Sequence, residues 1–587
     1  MKITENQYDV VVIGNGGAGL RAAISAAEGG ARTLIVAKGK INRSGCTLLA
    51  GANLSADIAC DGGSLAEMGI SDANKDDTPE QWFRDTVYEG FYLGNQELIQ
   101  VFVDEAAGCV RELMGWGMEV LGTEGERGIA VFGSAILDAL FKRVRKLRID
   151  YIEDTACADL VTDGGRIAGV VLINVLTGEI RFTAAKAVVM ATGGSHNLFS
   201  ENSGPTDCCG EGQAMALRAG AELVDMEMIS FCPAVIKEPL MYKGNILPYI
   251  INTTGFGTML NKFGKPFTDR HLSRRVELLA LETEWNKMLL SYAIQREIDE
   301  GRGNRYGGVY YTLKTRPKEL LDELYAQFPS LDTGIYSDIM AYILDGHALT
   351  VAPFAHYFEG GIRIDREMQT RLPGLFAAGE CAGGLFGANR VSAATTEMLT
   401  EGKVAGASAA RYAAGQTVAV TEKSALEEAE LRLTAPFAGK GDESIIRLRD
   451  ELRTAMQTAM HITRREETLA AAEDQIQQLK ERLAHVSIRG CDRTYNKQWM
   501  DYLQVQNGLL TASAMLRSAR LRKESRGVHI REDYFFTDNG RFLNNIVIQD
   551  PSLTYRLEKP VVTRVQPEDA LCHDYVDYIE ETVRKLS

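Results

Sequence analysis

A mostly apolar run, Tyr8-Asp-Val-Val-Val-Ile, passes directly into a glycine-rich turn and then a small-residue helical pattern, and few folds accommodate that junction. The turn, Gly14-Asn15-Gly16-Gly17-Ala18-Gly19, matches G-x-G-x-x-G, and ARTLIVAK supplies a second strand. Strand, turn, helix and strand make half of a Rossmann unit. Bare backbone at such a turn and the helix N-terminus behind it accept a pyrophosphate. A glycine turn that serves close packing alone is the bland alternative, and the strand–turn–helix context argues against it. The acidic residue expected at the end of the second strand is missing, because the chain reads Val36-Ala37-Lys38. Ribose recognition must come from elsewhere.

Two more apolar strands run into glycine turns far downstream, at Ala191-Thr192-Gly193-Gly194 and Ala377-Ala378-Gly379-Glu380. Such remote contacts suit FAD better than NAD. A second G-x-G-x-x-G is absent, so electrons are expected to pass through a protein partner or a quinone rather than directly from NAD(P)H.

With 45% hydrophobic and 24% charged residues over 587 positions, the chain can bury a large core. Its 64 Lys and Arg against 79 Asp and Glu, a net charge of -15, argue against nucleic acid as a partner. The ten cysteines form no C-x-x-C, so we expect reduced thiols, no metal site and no iron–sulfur cluster in this chain. No apolar run approaches the ~18–20 residues of a membrane span, and the N-terminus lacks a signal peptide's order. A cytoplasmic protein is expected, with membrane association only through partners.

The expected fold class is α/β: a Rossmann-like FAD-binding domain at 1–234 and 347–420, interrupted by an α+β capping domain at 235–346. Helical periodicity then predicts a three-helix domain at 421–535, followed by an extended tail at 536–587.

Five blocks, GNGGAGLRAAISAA, NRSGCTLLAGANLSA, ATGG, AHYFEGGIRID with GLFAAGECAGGLFGANR, and RKESRGVHIREDY, together resemble the succinate dehydrogenase and fumarate reductase flavoprotein subunits. L-aspartate oxidase and the adenylylsulfate reductase alpha subunit share that broad family. The resemblance implies an FAD enzyme with a mobile cap and an iron–sulfur partner subunit. It implies cofactor contacts at Gly14, Gly16, Gly17, Ala18, Gly19, Lys38, Ala191, Thr192, Gly193 and Gly194, and at the loop Ser44, Gly45, Cys46, Thr47 and Gly51. Further contacts are implied at Glu211, His356, Tyr357, Gly379, Glu380, Arg390, Ala393, Thr395 and Thr396. Cys46 stands where covalently flavinylated members carry a histidine, so FAD is expected to be held non-covalently.

Family members grip a dicarboxylate with two histidines and two arginines. His356 and Arg390 match one of each, and Tyr357 follows His356. Cys232 stands at the other histidine, Thr253 at the proton-donating arginine and Gly255 at its glutamate. Leaving a buried charge without its partner costs roughly 3–5 kcal/mol, so plain fumarate should bind poorly. The expected reaction is hydride transfer between flavin and an activated C=C or CH–CH of another acid or an acyl thioester. The alternatives are a conventional fumarate reductase, succinate dehydrogenase or L-aspartate oxidase, an adenylylsulfate-reductase-like protein, or an electron-transfer subunit without small-molecule chemistry. Tyr357, Tyr249, Lys243 and water are the candidate proton donors. Cys232 is expected to be an apolar filler, the Cys208-Cys209 pair inert, and His529 structural.

Overall fold

The computed structural model describes residues 1–3, 7–50, 53–55, 70, 77–124, 127–246, 257–272, 286–313, 318–327, 329–390, 393–418, 423–488, 490 and 492–586. Gly51, Tyr249, Thr253 and Gly255 lie outside the described residues.

The opening strand, Tyr8–Ile13, lies inside an eight-stranded sheet, parallel to Thr33–Val36 on one side and Ile180–Met190 on the other. Val10, Val11 and Val12 are all buried, as expected of a parallel strand covered on both faces. Leu375–Ala377 adds to Val188–Met190 in parallel, so all three glycine turns open at the same sheet edge. Helix Gly17–Glu28 packs against the long helix Ala394–Ala414. The approach is close enough that a Cβ on Gly406 would lie 2.1 Å from the Ala22 carbonyl oxygen. Gly14, at φ +117°, is equally constrained, since a Cβ there would lie 2.1 Å from the Ala191 oxygen.

A four-stranded antiparallel sheet follows the order Ile229–Glu238, Leu349–Phe358, Val309–Leu313, Gly257–Leu260, with helices Asn286–Asp299 and Gly334–Leu344 in the same segment. The first two strands are long and bulged; Ile229–Glu238 runs across the expected first edge of the inserted segment, and Leu349–Phe358 begins just beyond its expected second edge. That continuity brings Cys232, His356 and Tyr357 to the ends of the nucleotide-binding turns.

The C-terminal third departs from expectation twice. Four helices are present rather than three: Lys423–Ala438 precedes Ile445–Ala459, Glu466–Leu483 and Lys497–Leu521. Its internal Pro436 disguised the first one. The extended tail is also structured. Asn545–Ile548 and Tyr555–Glu558 join a five-stranded sheet with Leu223–Val224, and helix Tyr575–Val583 buries Tyr578 and Ile579. Its strands are short and its charges frequent, so period-two alternation was too brief to read.

The RKESRGVHIREDY block ties these parts together through buried arginines. Arg522 Nε lies 2.6 Å from Glu227 Oε1, and Arg526 Nε lies 2.7 Å from Glu524 Oε1. His529 Nδ1 accepts from Arg464 at 2.7 Å. Burial first, then the surrounding guanidiniums, hold its pKa well below the usual range, so it is a neutral structural acceptor. Among the described residues no helix is long and apolar enough to cross a membrane.

Candidate functional site

The glycine turns, the two long strands and the 286–299 helix enclose one cavity of about 520 Å³. At one end stands the N-terminus of helix Gly17–Glu28, whose N-cap is Gly16 and which has no side-chain cap. The backbone of that first turn and the helix dipole fit a pyrophosphate. Gly14, Gly16, Gly17 and Ala18 line the cavity, whereas Gly19 sits under the turn, where a Cβ would lie 2.1 Å from the Gly14 oxygen. Thr47 Oγ1 accepts from Gly17 N–H at 3.1 Å, and Asn15 Nδ2 donates to Ser44 Oγ at 3.2 Å, so the 44–47 loop is fastened to the turn. Gly45, Cys46 and Thr47 line the cavity, while Ser44 supports them from behind.

A carboxylate reaches the end of the second strand from another segment. Lys38 Nζ pairs with Glu211 Oε2 at 2.6 Å, and both face the cavity. Burial opposes the Lys38 charge, but Glu211 outweighs it and raises the pKa. Ala191, Thr192, Gly193, Gly379, Glu380 and Thr395 also line the cavity. Gly194 lies just behind, where a Cβ would meet the Glu380 carboxyl at 2.6 Å. Ala393 is the N-cap of helix Ala394–Ala414, and Thr396 is wholly buried in its first turn. The donor set thus fits FAD.

At the other end Arg390 is 4% exposed and stacks over the Tyr357 ring at 3.8 Å. Its Nε has no hydrogen-bond partner, and among the described residues no carboxylate oxygen lies within 4 Å of its guanidinium. Nearby carboxyls do not neutralise it. Burial pushes Glu397 up to about 8, even though Tyr357 donates to it and Arg390 opposes the shift, and burial likewise raises Glu359 and Glu380. A buried cation beside a carboxyl as weakly acidic as that of Glu397 suits an anion.

His356 faces the same end. Burial first, then Lys287 and Arg390, depress its pKa far below the usual range, so the imidazole is neutral. Its Nδ1 is 2.8 Å from Ser203 Oγ, which leaves Nε2 for a ligand. Cys232 is 1% exposed, packs with Val235, Ala352 and Phe354, and has its thiol pushed up to about 11 by burial. It is the small apolar filler expected.

Several residues of the cavity went unread in the sequence. Lys287, 4% exposed near the start of helix Asn286–Asp299, lines the cavity beside Cys232, His356 and Arg390. The site therefore keeps a second cation, although a threonine was read at the arginine position. A single lysine at a helix start has no motif to betray it. His196, Asn245, Ile246 and Tyr336 also line the cavity without a sequence signal. The Cys208-Cys209 pair splits: Cys208 faces the cavity near Cys46 and His196, while Cys209 Sγ donates to the Thr206 carbonyl oxygen.

Residues 9–396 match the FAD binding domain family, and residues 449–571 match the fumarate reductase flavoprotein C-terminal family. The chain belongs to the fumarate reductase and succinate dehydrogenase flavoprotein family. It is 32% identical to a chain of the fumarate reductase (CoM/CoB) of Methanothermobacter marburgensis, over 90% of this chain and 94% of that one. It is 30% identical to the Mycobacterium tuberculosis fumarate reductase flavoprotein subunit over 93% of this chain and 95% of the relative. A solved variant of E. coli quinol fumarate reductase superposes with a TM-score of 0.83 at 28% identity, covering 97% of this chain and 99% of that chain. The Archaeoglobus fulgidus adenylylsulfate reductase, at 20% identity and a TM-score of 0.78, shares the fold. This flavoprotein is accordingly an FAD-dependent oxidoreductase acting on CH–CH groups.

Proposed function

We propose that this flavoprotein is the catalytic subunit of an electron-transfer complex and reduces the activated C=C of an acid or acyl thioester other than plain fumarate, or runs the reverse reaction. The observation that carries the reading is Arg390, a buried guanidinium at the end of the FAD cavity with no carboxylate partner among the described residues. FAD, when bound, supplies the two-electron hydride chemistry.

The chain's own groups then divide the work. Arg390 pairs a carboxylate or the carbonyl end of a thioester, with a planar fork suited to two oxygens. Its stacking on Tyr357 fixes the plane of that fork. His356, neutral and fixed at Nδ1 by Ser203, offers Nε2 as a hydrogen-bond donor or acceptor to the same substrate group. Lys287 is the second cation at this end of the cavity and the candidate proton donor at the substrate carbon, in place of Tyr357 and Lys243. Tyr357 instead has its hydroxyl committed to Glu397, and its pKa is raised far above the usual range by burial and then by that carboxyl. Lys243 caps a short helical turn and is not part of the cavity wall among the described residues.

The discrimination against fumarate rests on the opposite wall. Cys232 and Ile246 belong to a small apolar cluster and both face the cavity. A second carboxylate placed there would lose its hydration and would have the single Lys287 ammonium, rather than an arginine and a histidine, to meet it. A hydrocarbon, aromatic or thioester portion fits that wall better. By analogy with complexes of this family, an iron–sulfur subunit is the proposed electron partner.

The test is steady-state oxidation of reduced viologen with a panel of fumarate, 2-enoic monocarboxylates and enoyl thioesters. A monoacid or thioester is expected to exceed fumarate in kcat/KM. Fumarate as the best substrate of the panel would overturn the specificity and make this a conventional fumarate reductase subunit. Native purification with iron and acid-labile sulfide analysis tests the partner, and an iron-free, single-chain preparation would remove it.

A further inference from the structure

Two of the cavity's thiols and one imidazole form a constellation that the proposed reaction does not use. Cys46 Sγ lies 3.7 Å from Cys208 Sγ and 3.8 Å from His196 Nδ1. All three side-chain atoms fall within 4.8 Å of one another. The two cysteines come from different segments of the FAD cavity wall, one from the start of the short helix Cys46–Leu49 and the other from the turn before helix Glu211–Ala219. His196 is oriented by its far nitrogen, since Nε2 bonds the His356 carbonyl oxygen at 2.8 Å and lies 3.4 Å from Glu380 Oε1. That arrangement turns Nδ1 toward the sulfurs.

We propose that Cys46 and Cys208 are a peroxide-oxidisable thiol pair, with His196 as the proton donor to the leaving hydroxide, that closes to a disulfide and tethers the two segments of the FAD cavity wall that carry them. A disulfide needs sulfurs about 2.05 Å apart, and the two sulfurs already stand in contact at 3.7 Å. The electrostatics assign the roles. The Cys46 thiol first, then His196, hold the Cys208 pKa below the ordinary thiol value against the opposing effect of burial. Cys46 is driven the other way by Cys208 and by burial, so it keeps its proton. Cys208 is therefore the nucleophile and Cys46 the resolving thiol, the layout of redox-sensitive pairs.

The chemistry balances with hydrogen peroxide as oxidant. The Cys208 sulfur attacks one peroxide oxygen, the O–O bond breaks, and the departing hydroxide leaves as water with the proton held by His196. The Cys46 sulfur then attacks the Cys208 sulfenic sulfur, the S–O bond breaks, and a second water leaves with the Cys46 proton. Two thiols lose two electrons, and one peroxide becomes two waters. Cys209 does not compete, because its sulfur is committed to the Thr206 carbonyl and burial pushes its pKa up to about 12.

The experiment treats purified FAD-loaded protein with hydrogen peroxide, alkylates the remaining thiols, and maps the digest by mass spectrometry. The expected result is loss of two alkylatable thiols and a Cys46–Cys208 linked peptide that dithiothreitol reverses. Cys46→Ser and Cys208→Ser should abolish the link, and Cys209→Ala should retain it. FAD release, followed by flavin fluorescence after dilution, should slow several-fold in the oxidised protein and recover on reduction. An unchanged thiol count would overturn the proposal. So would Cys208 running on to sulfinic acid unbridged, a Cys208–Cys209 link, or one equivalent of zinc that blocks both thiols. A formed bridge with unaltered FAD release would overturn the tethering.

Discussion

Replacing Arg390 by methionine removes the charge while keeping most of the side chain's length and its packing on Tyr357. In the wild type the guanidinium is buried, lacks a carboxylate partner, and is surrounded by carboxyls whose pKa values burial has raised. A charge-assisted hydrogen bond contributes roughly 1.5–3 kcal/mol, and a bidentate pair in a desolvated site reaches the upper end or beyond. At about 1.4 kcal/mol per power of ten, kcat/KM should fall at least ~100-fold with the best substrate of the viologen panel. Folding stability should move little, because the variant no longer buries an uncompensated charge in the empty site. The ligand-free melting temperature is thus expected to stay level or rise, while stabilisation by a bound carboxylate disappears. Viologen kinetics, flavin content per chain and thermal melts with and without a carboxylate inhibitor measure all three. A variant that lost FAD yet kept full turnover per bound flavin would show that Arg390 supports the cofactor pocket and not the substrate.

Lys287→Gln should lower kcat more than it raises KM, with Lys287→Arg recovering part of the loss; steady-state kinetics across pH would separate proton donation from simple charge, and an unchanged kcat would exclude the donor role. Lacking a histidine at Cys46, the chain should release free FAD on acid or heat denaturation, so a fluorescent band on a denaturing gel would contradict non-covalent binding. Glu222 gives a pH test of the five-stranded sheet. Burial alone would raise its pKa, but Arg556, Arg371 and Arg363 hold it down to about 2. Its folded pKa is therefore below the unfolded value of about 4.3. The stability it contributes is complete above that value and is lost as pH falls toward about 2. Thermal melts from pH 6 to 2 should show a smaller acid loss for Glu222→Gln than for wild type, and equal losses would refute the linkage.

What the sequence disclosed was whatever a short stretch of chain encodes by itself. Gly14 to Gly19 announce a phosphate turn because a positive φ and two close backbone approaches leave only glycine at defined offsets. Arg390 and His356 were legible through resemblance, since each sits in a distinctive local string. Lys287 and His196 were not, because each reaches the cavity from a segment whose local pattern is unremarkable and is completed only by tertiary contact. Glu211 shows the same limit in a milder form. Its turn resembled a known one, yet nothing local revealed that its carboxylate pairs with Lys38 at the end of the second strand. The tail failed for a different reason: Asn545–Ile548 pairs with Leu223–Val224, more than three hundred residues earlier, and a four-residue strand acquires its identity from that partner.

The formal charge of -15 would suggest a protein that repels acidic substrates, and the cavity shows why that inference fails. Net charge acts at long range and is screened beyond about 8 Å at physiological ionic strength. Recognition happens at contact distance, where burial has changed which groups are ionised. Glu397, pushed up to about 8, contributes a neutral hydrogen-bonding carboxyl at neutral pH rather than a charge. Arg390 cannot be discharged in the same way, because a guanidinium stays protonated at any accessible pH. Burying Glu397 and Arg390 together therefore suppresses the charge of that acid and leaves the cation, so an acidic chain acquires a cationic end to its cavity. The same desolvation that makes the unpaired Arg390 costly in the empty protein makes it a strong anchor once a carboxylate arrives, and the site's affinity is drawn from the ligand-free state's discomfort.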